Sequence, residues 1–154
     1  MKNMLFVCLG NICRSPTAKA VFDYRLSQAG IEIGTDSAGT IGYHTGSQPD
    51  ARAIEHARAF GIDITRERAR VVTAADFRRF ERIYAMDQAN LDDLLRMAPE
   101  DSTAEVELVM TLAPDYGLTE VPDPYYGGSD GFRQVLDMLD AAAEGLMREL
   151  AIRR

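Results

Sequence analysis

Hydrophobic positions along this chain change their period several times, and each change marks an element. Met4-Leu5-Phe6-Val7 is an unbroken apolar run, the pattern of a strand buried on both faces within a parallel sheet. Ala18, Val21, Phe22, Leu26 and Ala29 then recur at helical spacing, and Gly30 stops that helix. Ser15 is placed to cap its start, with Pro16 at the first helical position, where a missing N–H costs nothing. Ile31 to Ala38 reads as a second strand, a helix runs from about Pro49 to Gly61, and a short helix spans Ala74 to Phe80. Arg82 to Met86 is a third strand, Gln88 to Met97 a helix, and Val106 to Met110 a fourth strand. Phe132, Val135, Leu136, Leu139, Ala143, Leu146 and Leu150 form the apolar stripe of a long last helix.

This alternation of β and α with short connections predicts right-handed crossovers. The expected fold is a single three-layer α/β domain over residues 1–154, a small parallel sheet of about four strands flanked by helices. Ligands of such sheets sit at the carboxyl ends of the strands, which directs attention to the segment after Val7.

Composition narrows the class without naming it. At 154 residues, 46% hydrophobic and 27% charged, the chain is an ordinary globular domain with no repeat or low-complexity linker. No apolar run approaches the ~18 residues of a membrane span, and the first is too short for a signal-peptide core, so a cytoplasmic protein without a membrane partner is expected. A net charge of −7 argues against nucleic acid. The balance is uneven, since between Arg66 and Arg82 six arginines face only Glu67, Asp76 and Glu81; such a run is ordinarily a solvated face. With two histidines, His44 and His56, and no cluster at ligand spacing, no metal or other cofactor is expected.

The chemistry concentrates in Cys8-Leu9-Gly10-Asn11-Ile12-Cys13-Arg14-Ser15, between the first strand and the first helix. A helix N-terminus offers unpaired N–H donors and partial positive charge, and Gly10 lets the backbone curl around a guest. Cys8 at the mouth of such a loop meets the helix dipole, Arg14 and the Ser15 hydroxyl, all of which favour thiolate over thiol. Arg14 can grip two phosphate oxygens at once and stabilise charge on a phosphoryl group in flight. The loop is therefore read as a phosphate site built around a nucleophile.

Val7 to Pro16 resembles the signature loop of the low-molecular-weight protein tyrosine phosphatases. The resemblance implies an acid that protonates the leaving oxygen. Asp115-Tyr116 and Asp123-Pro124-Tyr125-Tyr126 are candidates, and the second has the Asp-Pro-Tyr form of the family's acid loop, which selects Asp123. The implied activity is hydrolysis of phosphotyrosine in protein substrates through a phosphocysteine, with Cys8 as nucleophile, Arg14 as clamp and Asp123 as acid and base. Leu9, Gly10, Asn11, Ile12, Cys13 and Ser15 would wrap the phosphate, with Tyr43, Tyr125 and Tyr126 around the substrate ring. The resemblance further implies reversible disulfide formation between Cys8 and Cys13, and bracing of the loop by Asn11 and Ser37. Relatives carry a histidine where this chain has Glu67, ahead of Arg68-Ala69-Arg70, which predicts a different arrangement there. A monomer or weak homodimer is expected.

Three alternatives fit less well. Thiol-dependent arsenate reductases need further redox cysteines, and none follows Cys13. Phosphoarginine phosphatases typically place threonine where this chain has Ile12, and an apolar group there suits an aryl ester better. A non-catalytic phosphate binder would have no need of both Cys8 and Asp123.

Overall fold

The computed structural model describes residues 3–125 and 127–153. Its centre is β1 (Asn3–Cys8), flanked on one side by β2 (Gly34–Gly39) and on the other by β3 (Arg82–Ala85) and then β4 (Glu105–Leu108). All pairings are parallel, with Cys8 opposite Gly39 and Val7 opposite Ala85. The chain leaves β1 toward β2 and afterwards returns across it to β3. The carboxyl end of β1 is thus the point where strand order reverses, and a crevice opens there.

Strand alternation explains why β1 has no polar face. Met4, Phe6 and Cys8 point to one side, against Val21 and Phe22 of α1 (Arg14–Gln28) and Leu136, Leu139 and Ala143 of α5 (Ser129–Arg153). Leu5 and Val7 point to the other, against Phe77 of α3 (Asp76–Arg79), Phe80, and Leu94 of α4 (Gln88–Met97). A third cluster joins Ala53 and Ala57 of α2 (Ala51–Ala59) to Ile12, Cys13 and Phe132, so α2 closes the end of the sandwich next to Cys8. The expected three-layer α/β architecture is the one observed. Among the described residues no helix is long and apolar enough to cross a membrane.

Several boundaries differ from the sequence reading, each for a local reason. α1 begins at Arg14 with Cys13 in the cap position, so Ser15 is not the N-cap and Pro16 is the third helical residue. Proline is tolerated there because the first-turn N–H groups have no intrahelical carbonyl to meet. The second strand starts only at Gly34. The Ile31 N–H closes the end of α1 on the Leu26 carbonyl, and Ile31 and Ile33 pack against the α1/α5 core from a loop. The fourth strand stops at Leu108, and Val109 and Met110 turn into a 3₁₀ segment (Val109–Leu112) that buries them under α5. Contact there is close: a Cβ added to Gly145 of α5 would lie 1.7 Å from the Leu112 carbonyl oxygen. α2 starts after Asp50, whose carboxylate accepts the Arg52 N–H at 2.8 Å, and the predicted Ala74 to Phe80 helix is a single turn.

Candidate active site

The loop after β1 is tied down from three directions. The Cys8 carbonyl accepts from Thr40 N–H (3.0 Å), the Leu9 carbonyl from Ile41 N–H (3.1 Å), and the Ile12 carbonyl from Asp50 N–H (2.8 Å). Gly39 is needed for this approach, since a Cβ there would meet the Leu9 carbonyl oxygen at 2.8 Å. Asn11 takes a left-handed conformation, φ 58°, uncommon outside glycine and asparagine. Its side chain uses its donors and acceptor together: Nδ2 donates to Ser15 Oγ (2.7 Å) and Ser37 Oγ (2.9 Å), and Oδ1 accepts Arg70 N–H (2.9 Å). The strained residue is thereby held by α1, β2 and the segment at Arg70.

Cys8 is buried at the floor of this loop. Its sulfur lies 3.0 Å from Ser15 Oγ and accepts the Asn11 N–H at 3.3 Å. Ser15 Oγ also lies 3.3 Å from the Ala38 carbonyl oxygen. With a thiol, the S–H can donate to Ser15 while the hydroxyl proton rests on Ala38; with a thiolate, the hydroxyl turns to the sulfur. α1 points its N-terminus at the same place.

Arg14 is 2% exposed, with Nη1 committed to the protein. Nη1 donates to Asp87 Oδ2 at 2.6 Å and to the Val121 carbonyl at 3.0 Å, while Nη2 lies 3.7 Å from Asp123 Oδ2. Burial alone would weaken its charge, but Cys8, Asp87 and Asp123 together hold its pKa above the ordinary arginine value. The sequence does not single out Asp87. It is the N-cap of α4, accepting Asn90 N–H at 2.8 Å, and that local role conceals the distant one.

Asp123 comes from the loop between a second 3₁₀ turn (Pro114–Tyr116) and α5. Val121 anchors that loop, its N–H on the Met86 carbonyl at 2.8 Å, and the Tyr125 N–H holds Asp123 Oδ1 at 3.0 Å. Cys8, Arg14 and Asp123 line one cavity of about 360 Å³, as do Leu9, Gly10, Ile12, Cys13, Tyr43 and Tyr125. Asn11 and Ser15 stand behind the loop and support it. Ile41 and His44, on the loop Gly39 to Gln48 that the family resemblance puts at the pocket rim, also line the cavity. Tyr43 is 84% exposed at its outer edge, its ring edge-on to His44. Tyr126 lies outside the described residues. Asp115 borders a different cavity beside Gly145.

Cys13 faces the apolar cluster with Ala53, Ala57 and Phe132, and both cysteines are free thiols. Burial, then the negative charges of Asp50, Cys8 and Asp123, push the Cys13 pKa far up, so it stays protonated. Glu67 does not touch Asn11. It pairs with Lys19 at 3.8 Å, burial and the neighbouring Asp23 and Asp36 raising its pKa against that pairing, and the Arg70 main chain does the bracing instead. Among the described residues no group of three or more His, Cys, Asp or Glu could hold a metal.

A buried cysteine ringed by a loop, with an arginine behind it at the carboxyl end of a parallel strand, forms an anion site built around a thiol. A family model described as low molecular weight phosphotyrosine protein phosphatase matches residues 3–154. The low molecular weight phosphotyrosine protein phosphatase of Schizosaccharomyces pombe is 42% identical over 151 residues, covering 96% of each chain. Among solved structures, a protein tyrosine phosphatase from Entamoeba histolytica superposes with TM-score 0.93 at 39% identity, covering 98% of this chain and 97% of that one. A Drosophila arginine phosphatase gives TM-score 0.91 at 29% identity, covering 96% of each. The chain belongs to the low molecular weight phosphotyrosine protein phosphatase family.

Proposed function

We propose that this enzyme hydrolyses phosphotyrosine in proteins, and small aryl phosphates, through a phosphocysteine intermediate formed on Cys8. The observation that carries the reading is the convergence of Cys8, Arg14 and Asp123, from a strand, a helix and a late loop, on one cavity. The Cys8 thiolate attacks phosphorus, the S–P bond forming as the P–O bond to the phenol breaks. Asp123 gives its proton to the departing oxygen. Water then attacks phosphorus, its proton passing to Asp123, and the S–P bond breaks to return the thiolate and release phosphate. Arg14 and the loop amides hold the equatorial oxygens throughout, so the step needs no metal. Leu9, Ile12 and Ile41 give the cavity apolar walls suited to an aromatic ring.

Residues 1–154 act as one catalytic domain in this reading. Cys13 adds an oxidative arm: peroxide converts Cys8 to a sulfenic acid, the Cys13 thiol displaces water to form a disulfide, and an added thiol restores both.

The test is hydrolysis of an aryl phosphate against pH, with chelator present, for the wild type, Cys8→Ser and Asp123→Asn. Activity that vanishes with Cys8→Ser, and that Asp123→Asn lowers chiefly for poor leaving groups, supports both roles. Activity surviving Cys8→Ser refutes them. Phosphoarginine tried alongside decides between the two substrate classes named among the solved relatives.

A further inference from the structure

The segment joining α2 to the phosphate loop holds a side chain that the proposed mechanism does not use. Asp50 donates its N–H to the Ile12 carbonyl and accepts the Arg52 guanidinium in a fork, Nε to Oδ1 and Nη2 to Oδ2, both at 3.1 Å. From that anchored position Arg52 reaches the acid loop. Its Nη2 donates to the Tyr125 carbonyl at 2.7 Å and its Nη1 to the Gly127 carbonyl at 3.4 Å. The guanidinium also lies over two rings, 5.5 Å from the centroid of Tyr125 and 4.9 Å from that of Phe132. Tyr125 is the residue whose N–H holds Asp123 Oδ1. One arginine therefore fixes the carbonyl side of a residue whose amide side orients the acid.

We infer that Arg52 is a positioning residue for the general acid, a strap that sets the Asp123 loop against the phosphate loop through Asp50 and Tyr125. The inference rests on the proposed role of Asp123. The physical case is one of reach. Asp123 is partly exposed, and its own ties are the Tyr125 N–H and Arg14 at 3.7 Å. Proton transfer to a leaving oxygen requires hydrogen-bond distance, and small misplacements cost large factors. Two carbonyls gripped by a planar fork, itself gripped by a carboxylate rooted in the nucleophile's loop, keep acid and nucleophile in one frame. A lysine could meet only one of the carbonyls well.

The experiment measures kcat and KM for aryl phosphates ranging from p-nitrophenyl phosphate, with a good leaving group, to phenyl phosphate, with a poor one. Arg52→Ala is expected to lower kcat for phenyl phosphate by roughly tenfold to a hundredfold and for p-nitrophenyl phosphate much less. Arg52→Lys should fall between. Inhibition by inorganic phosphate should stay as in the wild type, because the Asp50 N–H still holds Ile12; this also shows the variant to be folded. Adding Arg52→Ala to Asp123→Asn should cause no further loss, since both act through one proton. Equal losses across leaving groups, full additivity, or unchanged kinetics would overturn the inference. If Asp123→Asn itself shows no leaving-group dependence, the role of Asp123 fails and the strap fails with it; if it does and Arg52→Ala does not, the strap alone fails.

Discussion

Gly145→Ala is a small change with a large expected consequence. The new Cβ would sit 1.7 Å from the Leu112 carbonyl oxygen and 2.7 Å from the carbon bearing it. Carbon and carbonyl oxygen need at least roughly 3.3 Å, so α5 and the 3₁₀ segment must part by more than an ångström. Neither can yield cheaply. Both contacting atoms are backbone, and Val109, Met110, Leu139 and Ala142 pack in the same core around the seam. Helix propensity favours alanine over glycine by about 1 kcal/mol, whereas overpacking a filled core costs about 1–3 kcal/mol, and a rigid backbone contact belongs at the upper end. The net loss is about 2 kcal/mol, which for a domain of this size lowers Tm by roughly 4–8 °C. Gly131→Ala, in the first turns of the same helix, is the control: among the described residues its Cβ would meet only Pro124, Cβ at 3.4 Å and Cα at 3.7 Å, so Tm should hold or rise. Thermal unfolding followed by circular dichroism compares the two, and aryl phosphate turnover at 25 °C should be near wild type in both. An unchanged or raised Tm for Gly145→Ala would refute the packing argument.

Asn11→Ala should strand the Arg70 N–H and the Ser37 hydroxyl and place alanine at a positive φ, a destabilisation of about 2–4 kcal/mol together with a fall in kcat; chemical denaturation and steady-state kinetics measure the two. Asp87→Asn keeps an N-cap side chain for α4 but replaces a charge-assisted bond to buried Arg14 with a neutral one, so kcat should fall with a Tm loss of only a few degrees, whereas Asp87→Ala should lose several degrees more. Asp76 supplies a pH dependence. Burial works to raise its pKa, but the Arg70 guanidinium and the Thr73 N–H win and hold it below the usual value of 3.8. A depressed folded-state pKa stabilises at neutral pH, and that contribution fades as pH drops below the unfolded-state value and through the folded one. Urea midpoints should therefore fall between pH 5 and pH 2 more steeply for the wild type than for Asp76→Asn, as stability curves at a series of pH values will show.

What the sequence could reveal tracks the range of the interaction concerned. β1 and the stripe of α5 are legible because burial imposes a period that needs no knowledge of neighbours. The loop from Cys8 to Ser15 is legible because its parts are consecutive. Ser15 reads wrongly as a cap because capping is judged from adjacent residues, whereas its hydroxyl is claimed by Cys8 and by Ala38 of another strand. Asp87 escapes notice because it lies 73 positions from Arg14 and already has a local explanation. Contacts between distant segments carry no periodic signature, and the crossovers of a parallel sheet create many of them.

The position of Arg14 has a consequence for how the enzyme matures. The Cys8 loop and the segments that brace it all precede β3, whereas Asp87 and Val121, which hold Arg14, and Asp123 beside it come from beyond β3. A chain with β1, α1 and β2 joined but β3 undocked holds Cys8 without an anchored Arg14 or the proposed acid, Asp123. Recovery of turnover during refolding is therefore expected to follow the docking of β3 and the segments after it. The proposed machinery is complete only when the whole sheet is closed.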